Sequence, residues 1–174
     1  MTETTIRAAT AQDAEGIAAV HVRAWQWAYR GLMPADFLDE LDPAKRTAMW
    51  IRLMNDDISP PPFVAVDGQR VIGFCHAAES RDGDASPAVG EVTAIYLHPD
   101  YVGTGVGRRL WSAAIEHLGT QGFSEVTVWV LDTNTRGRSF YERVGLTLDG
   151  ATKTDELRGF PVTELRYRGT IPTS

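Results

Sequence analysis

The chain has 174 residues, of which 43% are hydrophobic and 23% are charged, a balance that suits one globular domain with a core of its own. Its formal net charge at pH 7 is −6, which argues against nucleic acid as a partner because nucleic-acid-binding proteins usually present a basic face. No stretch approaches the roughly 20 apolar residues that a membrane-spanning helix needs, so we expect no membrane partner.

Cysteine usage and the first residues predict the compartment. Cys75 is the only cysteine, so no disulfide can form within the chain, and its apolar surroundings predict a small buried side chain rather than a catalytic thiol. Residues 1–10 lack the basic start and apolar run of a secretory signal. We therefore expect a cytoplasmic protein that forms a single domain over residues 1–174.

The first third of the chain predicts a short strand followed by helices. Residues 6–8 suit the strand, and Thr10 and Asp13 fit a capping box. Apolar residues then recur at helical spacing and predict the buried face of a helix: Ile17, Val20, Ala24 and Trp27. Gly31 and Pro34 end this helix, and a second helical region, in one or two pieces, covers residues 35–54.

The middle of the chain predicts strands. Residues 63–66 and 71–76 read as a β-hairpin joined by the turn Asp67-Gly68. A polar loop over residues 79–89 follows, and then a strand over residues 91–97.

The second half alternates helices and strands. It predicts a helix over 105–120, a strand over 125–131 that is covered on both faces, and a helix over 134–144 that Gly145 ends. Two closing strands follow, at 146–151 and 162–168. Because helices connect successive strands here, part of the sheet should be parallel.

Three glycines stand at the start of the helix predicted over residues 105–120. Gly103, Gly105 and Gly107 remove the side chains that would keep an anion away from the free N–H groups of a helix N-terminus. A tight turn would need one glycine, so the cluster favours phosphate binding. A Rossmann fingerprint fails because Arg108 stands at the third glycine position, and a Walker A loop fails because no Gly-Lys pair is present.

Two segments resemble the GNAT superfamily of acetyl-CoA-dependent N-acetyltransferases. "LHPDYVGTGVGRRLW" is similar to the phosphate loop Gln/Arg-x-x-Gly-x-Gly/Ala, with Gly105 and Gly107 on the glycine positions and Val102 in place of Gln or Arg. "NTRGRSFYERVGL" resembles the second motif, with Leu146 in place of the usual Phe. The amino-terminal "AWQWAYRGLMP" looks like a bacterial subgroup whose acceptors are uncharacterised.

The resemblance covers the whole chain and implies both a fold and an activity. The implied fold is α/β, with a mixed, mostly antiparallel sheet of about seven strands, a splayed parallel pair, and helices on both faces. The implied function is transfer of an acetyl group from acetyl-CoA to a primary amine of a small-molecule or peptide acceptor, by direct attack in a ternary complex and without a metal. Homodimers are frequent in the family. The alternative from another class is a non-catalytic acyl-CoA-binding module.

The resemblance also implies the residues that hold acetyl-CoA. The strand before the loop offers backbone bonds to the acetyl and pantetheine groups, from Ile95, Tyr96 and Leu97. The loop and helix start hold the pyrophosphate, through Val102, Gly103, Thr104, Gly105, Val106, Gly107 and Arg108. Asn134 is similar to an asparagine that bonds pantetheine, although a helix N-cap is an equal reading of it. Arg138 is a candidate for the CoA phosphates.

Catalytic roles follow in the same way. Tyr141 aligns with the tyrosine that protonates the departing thiolate, which a phenol with a pKa near 10 can do at neutral pH. Glu91 resembles the general base of histone-type members, and ordered water is the alternative. Trp25 and Tyr29 lie four residues apart on a predicted helix, so they share a face that could line the acceptor pocket, although ordinary packing is the simpler reading.

Overall fold

The computed structural model describes residues 3–56 and 59–172; Met1 and Thr2, and with them the start of the segment read above for a signal, lie outside it. The helices are α1 (Ala14–Ala28), α2 (Ala35–Asp39), α3 (Pro43–Met54), α4 (Val106–Thr120) and α5 (Thr135–Arg143). The strands are β1 (Thr5–Ala8), β2 (Phe63–Asp67), β3 (Arg70–Glu79), β4 (Val89–Leu97), β5 (Glu125–Leu131), β6 (Thr147–Leu157) and β7 (Phe160–Thr170).

The strands form one seven-stranded sheet in the order β1-β2-β3-β4-β5-β7-β6. The pair β4–β5 is parallel, and the other neighbouring pairs are antiparallel. The chain passes from β4 to β5 through α4, as a parallel connection requires. The predicted mixed, mostly antiparallel sheet is confirmed.

The parallel pair separates part-way along its length. Pairing runs from Val89 opposite Glu125 to Glu91 opposite Thr127 and then stops, although both strands continue. On its other side, β4 pairs with β3 as far as Leu97, with a register shift between His76 and Ala77. The result is a wedge inside the sheet that is closed at Glu91 and open toward the carboxyl ends of β4 and β5.

Helices cover both faces of the sheet. On one face α4 and α5 pack over a cluster that includes Leu110, Leu118 and Val128, each at most 3% exposed. On the other face α1 and α3 cover a cluster that includes Ile17 and Trp50. Burial of such side chains is the main force that holds the layers together, at about 25 cal/mol per Å² of apolar surface.

Trp27 was predicted in the buried face of α1, and this prediction is wrong. Its side chain is 39% exposed, and it stacks on the guanidinium of Arg136, whose carbon lies 4.2 Å from the ring centroid. Trp27 sits in the last turn of α1, which extends beyond the buried cluster toward the open end of the wedge. Helical spacing alone could not reveal that the sheet beneath that turn has separated.

The closing strands are longer than predicted. The sequence indicated 146–151 and 162–168, whereas β6 and β7 run eleven residues each and meet at the turn Arg158-Gly159. β6 is the edge strand and is mostly exposed, so its residues need no apolar alternation. Exposed edge strands show little of the apolar alternation by which strands are predicted from a sequence.

Two smaller predictions concern burial. Cys75 is completely buried in the core, and burial raises the pKa of its thiol far above the usual value, as expected of a packing residue. Among the residues described, no helix is long and apolar enough to cross a membrane.

Candidate active site

A cavity of about 490 Å³ occupies the wedge between β4 and β5. Its walls come from both faces of the sheet. Val130, Phe140 and Tyr141 belong to the α4–α5 face, while Tyr29 and Trp129 belong to the α1 face. The cavity therefore passes through the sheet, which only an unpaired stretch of strand permits.

The glycine loop forms one mouth of this cavity. Gly103 and Gly105 have φ angles of 82° and 88°, in the left-handed region that favours glycine, and a Cβ on either would meet open space. Gly105 caps α4 without any side-chain hydrogen bond, so the first N–H groups of the helix stay available. This is the geometry of an anion site at a helix N-terminus.

Gly107 is required for a different reason from Gly103 and Gly105. It lies in the first turn of α4, and a Cβ there would stand 3.1 Å from Leu97 Cδ1 and 3.6 Å from a ring carbon of Phe140. The missing side chain lets the helix start approach the end of β4 closely. Two glycines thus serve the backbone conformation and the third serves packing.

The remaining loop residues divide between the cavity and the interior. Val102 lines the cavity, and its N–H donates to the Pro99 carbonyl at 3.2 Å. Thr104 is exposed and its hydroxyl donates to the Tyr101 carbonyl at 2.6 Å. Val106 is 5% exposed and packs in the core. For Thr104 and Val106, the backbone is the part that a phosphate could contact.

Arginines surround the outer end of the cavity. Arg108, Arg136 and Arg143 line it. Arg138, the predicted phosphate ligand on α5, points elsewhere, since its guanidinium donates to the Tyr167 hydroxyl at 3.2 Å and to the Asp132 carbonyl at 3.1 Å. The outer end is therefore cationic, and two of its cations lie on α5 at positions that the motif does not specify.

The backbone of β4 faces the cavity with unused donors and acceptors. The N–H of His98 donates to the Ile72 carbonyl of β3 at 2.8 Å, and Leu97 stands opposite Gly73. Because N–H directions alternate along an antiparallel strand, Leu97 and Ile95 point their N–H and C=O groups away from β3. They face the wedge, where β5 has already diverged, and an extended ligand could pair with them as a strand does.

Tyr96 alternates with these two residues and points its side chain to the α1 face. Its hydroxyl lies 3.3 Å from the hydroxyl of Tyr29, and both residues line the cavity. Burial raises the pKa of both phenols, so both stay protonated at neutral pH. Trp25 packs against Tyr29 with ring centroids 4.9 Å apart and lies behind it, away from the cavity wall.

The position of Asn134 is compatible with both roles that the sequence left open, a helix N-cap and a contact with pantetheine. Its side-chain oxygen accepts from the Gly137 N–H at 3.0 Å, which caps α5, and the residue also lines the cavity. The cap fixes the orientation of the side chain at the wall.

Tyr141 lies on α5 in the middle of the cavity wall and is 8% exposed. Its ring packs against Trp111 and Phe140, with centroids 6.0 Å and 5.6 Å away, and its hydroxyl donates to none of the residues described. Burial raises the pKa of the phenol above its usual value near 10. The hydroxyl is therefore a protonated donor that faces the space where the strands separate.

Glu91 lies at the closed end of the wedge. It is 5% exposed, and its carboxylate accepts from the backbone N–H of Arg81 at 3.2 Å and from the Arg81 guanidinium at 3.4 Å. Glu91 is not part of the cavity wall, whereas Thr93, two residues later on the same strand, is.

Several wall residues carry no signal in the sequence. Thr93 and Trp129 lie in predicted strands but were assigned no role from the sequence, and Trp129 is held by its indole N–H, which donates to both Asp82 oxygens at 3.1 Å. Arg136 and Arg143 lie within a motif whose arginines are not specified. The alternation of β5 places Trp129 on the face opposite Val128, but the sequence does not say that this face borders a wedge.

Two carboxylates, of Glu91 and Glu164, lie near the cavity without lining it. Glu164 stands opposite Leu131 across β5 and β7, on the α1 face, and burial raises the pKa of its carboxyl. Glu91 lies near enough to contribute to this shift by repulsion. The cavity is thus cationic at the loop, and the carboxylate of Glu164 lies near it on the α1 face, which suits a phosphate at the loop and an amine on the α1 face.

The residues present fit acetyl-CoA. The loop supplies backbone donors and arginines for phosphates, the free edge of β4 supplies amide groups for a pantetheine arm, and Tyr141 faces the interior of the wedge. Because Gly107 approaches Leu97 closely, the free N–H groups at the start of α4 lie next to the free backbone groups at the end of β4.

Comparison with known proteins identifies relatives of this chain. Residues 20–146 match the family model described as the acetyltransferase (GNAT) family. An uncharacterised N-acetyltransferase, YuaI of Bacillus subtilis, is 33% identical over 131 residues, which are 75% of this chain and 73% of that protein. The mycothiol acetyltransferase of Geodermatophilus obscurus is 38% identical over 86 residues, 49% of this chain and 28% of that longer protein.

Solved structures share the fold. The yncA acetyltransferase of Salmonella typhimurium, solved with acetyl-CoA, superposes with a TM-score of 0.75 at 20% identity, covering 99% of this chain and 96% of that one. The paia N-acetyltransferase of Thermoplasma acidophilum, solved with coenzyme A, gives 0.73 at 18% identity over 97% and 99% of the two chains. The chain described here belongs to the GNAT family of acetyltransferases, whose cosubstrate is acetyl-CoA.

Proposed function

We propose that this protein transfers the acetyl group of acetyl-CoA to a primary amine, by direct attack of the amine on the thioester within a ternary complex. The observation that carries the proposal is the cavity that passes through the sheet, with a phosphate cradle at one mouth and Tyr141 in its wall. Donor and acceptor can enter such a cavity from opposite faces and meet without exchanging places. This arrangement favours one direct transfer over a covalent enzyme intermediate.

The residues of the chain divide the chemical work. The Leu97 N–H faces the wedge and can donate to the thioester carbonyl as negative charge develops on its oxygen. Tyr141 can give its proton to the sulfur that leaves. The acceptor ammonium must first lose a proton, to Glu91 or to water, and the bonds from Arg81 hold the Glu91 carboxylate at the closed end of the wedge.

The acceptor is proposed as a small-molecule or peptide amine. Tyr29 and Tyr96 contribute aromatic surface on the α1 face of the cavity, and the nearby carboxylate of Glu164, whose charge helps to raise the pKa of both phenols, favours a cation there. Relatives and structural neighbours carry names that span both classes, from mycothiol to a ribosomal protein. Three further points stay predictions: a single domain, a homodimer and a cytoplasmic location. The buried free thiol of Cys75 is consistent with the last of these.

Turnover distinguishes this proposal from a non-catalytic acyl-CoA-binding module. Release of free thiol from acetyl-CoA should be followed with a linear polyamine, an aminoglycoside, an amino acid and an alanine-terminated peptide, and products should be checked by mass. We expect at least one amine to be acetylated. Tight CoA binding without thiol release on any of these amines would favour the binding module.

A further inference from the structure

A chain of three hydrogen-bonding side chains runs from the cavity wall to the segment before β2. Thr93 Oγ1 lies 2.5 Å from His76 Nδ1, and His76 Nε2 lies 3.0 Å from Ser59 Oγ. Thr93 lines the cavity, His76 is 4% exposed, and Ser59 is half-buried. No role assigned above to the site uses any of these three side chains.

The irregularity between β3 and β4 creates this connection. Ala77 stands opposite Val92 and His76 opposite Ala94, so Thr93 is an extra residue with no partner on β3. Such a bulge turns a side chain out of the regular alternation. Here it lets the Thr93 hydroxyl meet the ring of His76 while the residue still borders the cavity.

The surroundings of His76 keep its ring neutral. Burial lowers the pKa of His76 to about 4, with a hydrogen bond to the Pro60 backbone opposing this shift and the positive charge of Arg81 adding to it. The ring of Trp50 packs against it with centroids 6.1 Å apart. Ser59 Oγ is the partner of Nε2 and Thr93 Oγ1 is the partner of Nδ1, so the relay requires the tautomer in which Nε2 carries the proton and donates to Ser59 while Nδ1 accepts from Thr93.

We propose that Thr93, His76 and Ser59 form a proton relay that carries the acceptor's proton from the cavity to solvent. The proposal rests on the proposed function, since it supplies the deprotonation that an amine acceptor needs. At pH 7 only on the order of one in a thousand molecules of an alkylamine is unprotonated, so an enzyme that binds the ammonium must remove a proton before the nitrogen can attack. Thr93 lines the cavity and Glu91 does not, so of the two only Thr93 can contact an amine bound there directly.

The transfer balances with one proton entering and one leaving. The ammonium proton moves to Thr93 Oγ1 while the hydroxyl proton of Thr93 moves to His76 Nδ1. The Nε2 proton moves to Ser59, whose own proton passes to solvent, and the amine keeps its electron pair for attack. After the products leave, water entering the cavity takes the Nδ1 proton through Thr93, and solvent returns one to Nε2 through Ser59.

Matched variants at Thr93 test the relay with acetyl-CoA and whichever amine of the panel turns over fastest. Thr93→Val keeps the shape and removes the hydroxyl, whereas Thr93→Ser keeps the hydroxyl. We expect Thr93→Val to lower kcat at pH 7 at least tenfold with an unchanged KM for acetyl-CoA, and to recover toward the wild-type rate near pH 10. Thr93→Ser should stay within threefold of wild type throughout.

His76→Gln provides a second test if Thr93→Val fails to fold. Glutamine can hydrogen-bond but cannot change protonation state, so the same loss and the same recovery at high pH are expected. His117→Gln, on the far side of the core against Phe63, is the matched control and should keep the wild-type profile. Circular dichroism should show that all variants are folded.

Spectroscopy tests the relay without any acceptor. In protein labelled with ¹⁵N at its four histidines, the spectrum of His76, assigned through His76→Gln, should show the Nε2–H tautomer. Thr93→Val should shift the Nδ1 resonance because its donor is lost. A proton on Nδ1 would overturn the relay.

The kinetic outcomes separate the relay from the proposed function. Wild-type turnover together with a Thr93→Val variant that is fully active, or equally impaired at every pH, would overturn the relay and leave the acetyltransferase proposal standing. Absence of wild-type turnover on every amine would overturn the proposed function itself, and the tautomer of His76 would then have no transfer to serve.

Discussion

Tyr141 is the single residue whose chemistry is tested most directly. Its hydroxyl faces the cavity, and burial holds the pKa of the phenol above its ordinary value, so it can donate but does not ionise at neutral pH. We expect Tyr141→Phe to lower kcat by about 10² to 10⁴-fold with little change in CoA affinity, because the proton is needed only as thiolate charge develops. Stopped-flow or steady-state thiol release measures kcat, and calorimetry measures affinity.

The control for this variant is Phe140→Leu. Phe140 contacts the same wall and packs against Tyr141 but carries no proton. A loss below roughly tenfold in Tyr141→Phe, or an equal loss in Phe140→Leu, would assign Tyr141 to packing instead of proton donation.

Gly105 tests the phosphate cradle. Gly105→Glu should abolish CoA binding in calorimetry, because a carboxylate would stand among the free N–H groups at the start of α4 and repel the phosphates. The substitution also strains the backbone, whose φ angle of 88° disfavours any side chain. Gly105→Ala carries that strain without the charge and is the matched control.

The two variants give distinct outcomes. Gly105→Ala should bind CoA more weakly than wild type but measurably, and both variants should remain folded because a Cβ at this position meets open space. Equal affinity of Gly105→Glu and wild type would remove the phosphate assignment from this loop.

At the scale of elements, β4 is the feature that the ligand should change most. Its backbone between Val92 and Leu97 has no strand partner on the β5 side, so a bound pantetheine arm would complete a pairing that the protein lacks. We expect CoA at a hundred times its Kd to stabilise the protein by about 2.7 kcal/mol, as binding linkage requires. Thermal unfolding with and without CoA measures this shift.

Hydrogen exchange identifies where that stabilisation acts. The amides of Ile95 and Leu97, which face the wedge, and those of the first turn of α4 should exchange more slowly with CoA. Amides of α3, which lies on the far side of the sheet, should change less. Protection spread evenly over the whole chain would contradict pairing along β4.

The strand β4 also shows which features of the fold can be predicted from the sequence and which cannot. Order and type of the main elements follow from local patterns, and Gly105 and Gly107 mark the loop because a phosphate cradle is built from neighbouring residues. The bulge at Thr93 depends on the pairing of two strands, and the position of Arg143 on the cavity wall depends on how α5 packs. Contacts of this kind join distant segments, and a single sequence carries no pattern for them.

At the scale of the whole molecule, one buried cation joins distant segments. Arg166 on β7 donates to Asp149 at 2.7 Å, to Asp84 at 2.7 Å and to Asp82 at 3.1 Å, while its side chain is only 6% exposed. It thereby holds the loop between β3 and β4 against the β6–β7 hairpin, beside the ring of Trp129. Asp82 also accepts from the indole of Trp129, which lines the cavity, so the cluster supports one wall of the cavity.

Removal of this cation should be costly. We expect Arg166→Met to reduce the free energy of unfolding by about 3–5 kcal/mol, because it removes a cationic partner from the enclosed carboxylates of Asp82 and Asp149. Urea unfolding measures the loss, and Arg168→Met, on the same strand and less enclosed, is the control with a smaller expected effect. A change under about 1 kcal/mol for Arg166→Met would mean that the cluster contributes little.

The cluster also predicts the response to acid. Hydrogen bonds from Arg166 lower the pKa of Asp84 to about 2; burial alone would raise the pKa of Asp82, but bonds from Lys153, Arg166 and Trp129 outweigh it and lower that pKa too. A lowered carboxyl pKa stabilises the fold above the unfolded value near 4, and this stabilisation is lost as pH falls toward 2. The stability of Arg166→Met should therefore depend less on pH between 4 and 2.

The wedge has a consequence for how the protein behaves at high concentration. An unpaired strand edge is normally a template on which other chains add and aggregate. Here the unpaired part of β4, residues 92–97, borders the cavity inside the sheet. Tyr29 and Tyr141 also line this cavity, so a small extended molecule can reach the strand edge and a second protein strand cannot. The outer edges are the four-residue β1 and the polar, mostly exposed β6, broken by a register shift between Leu148 and Thr152. An unpaired strand edge in this position is accessible to a bound cosubstrate of the proposed kind and is shielded from other protein chains.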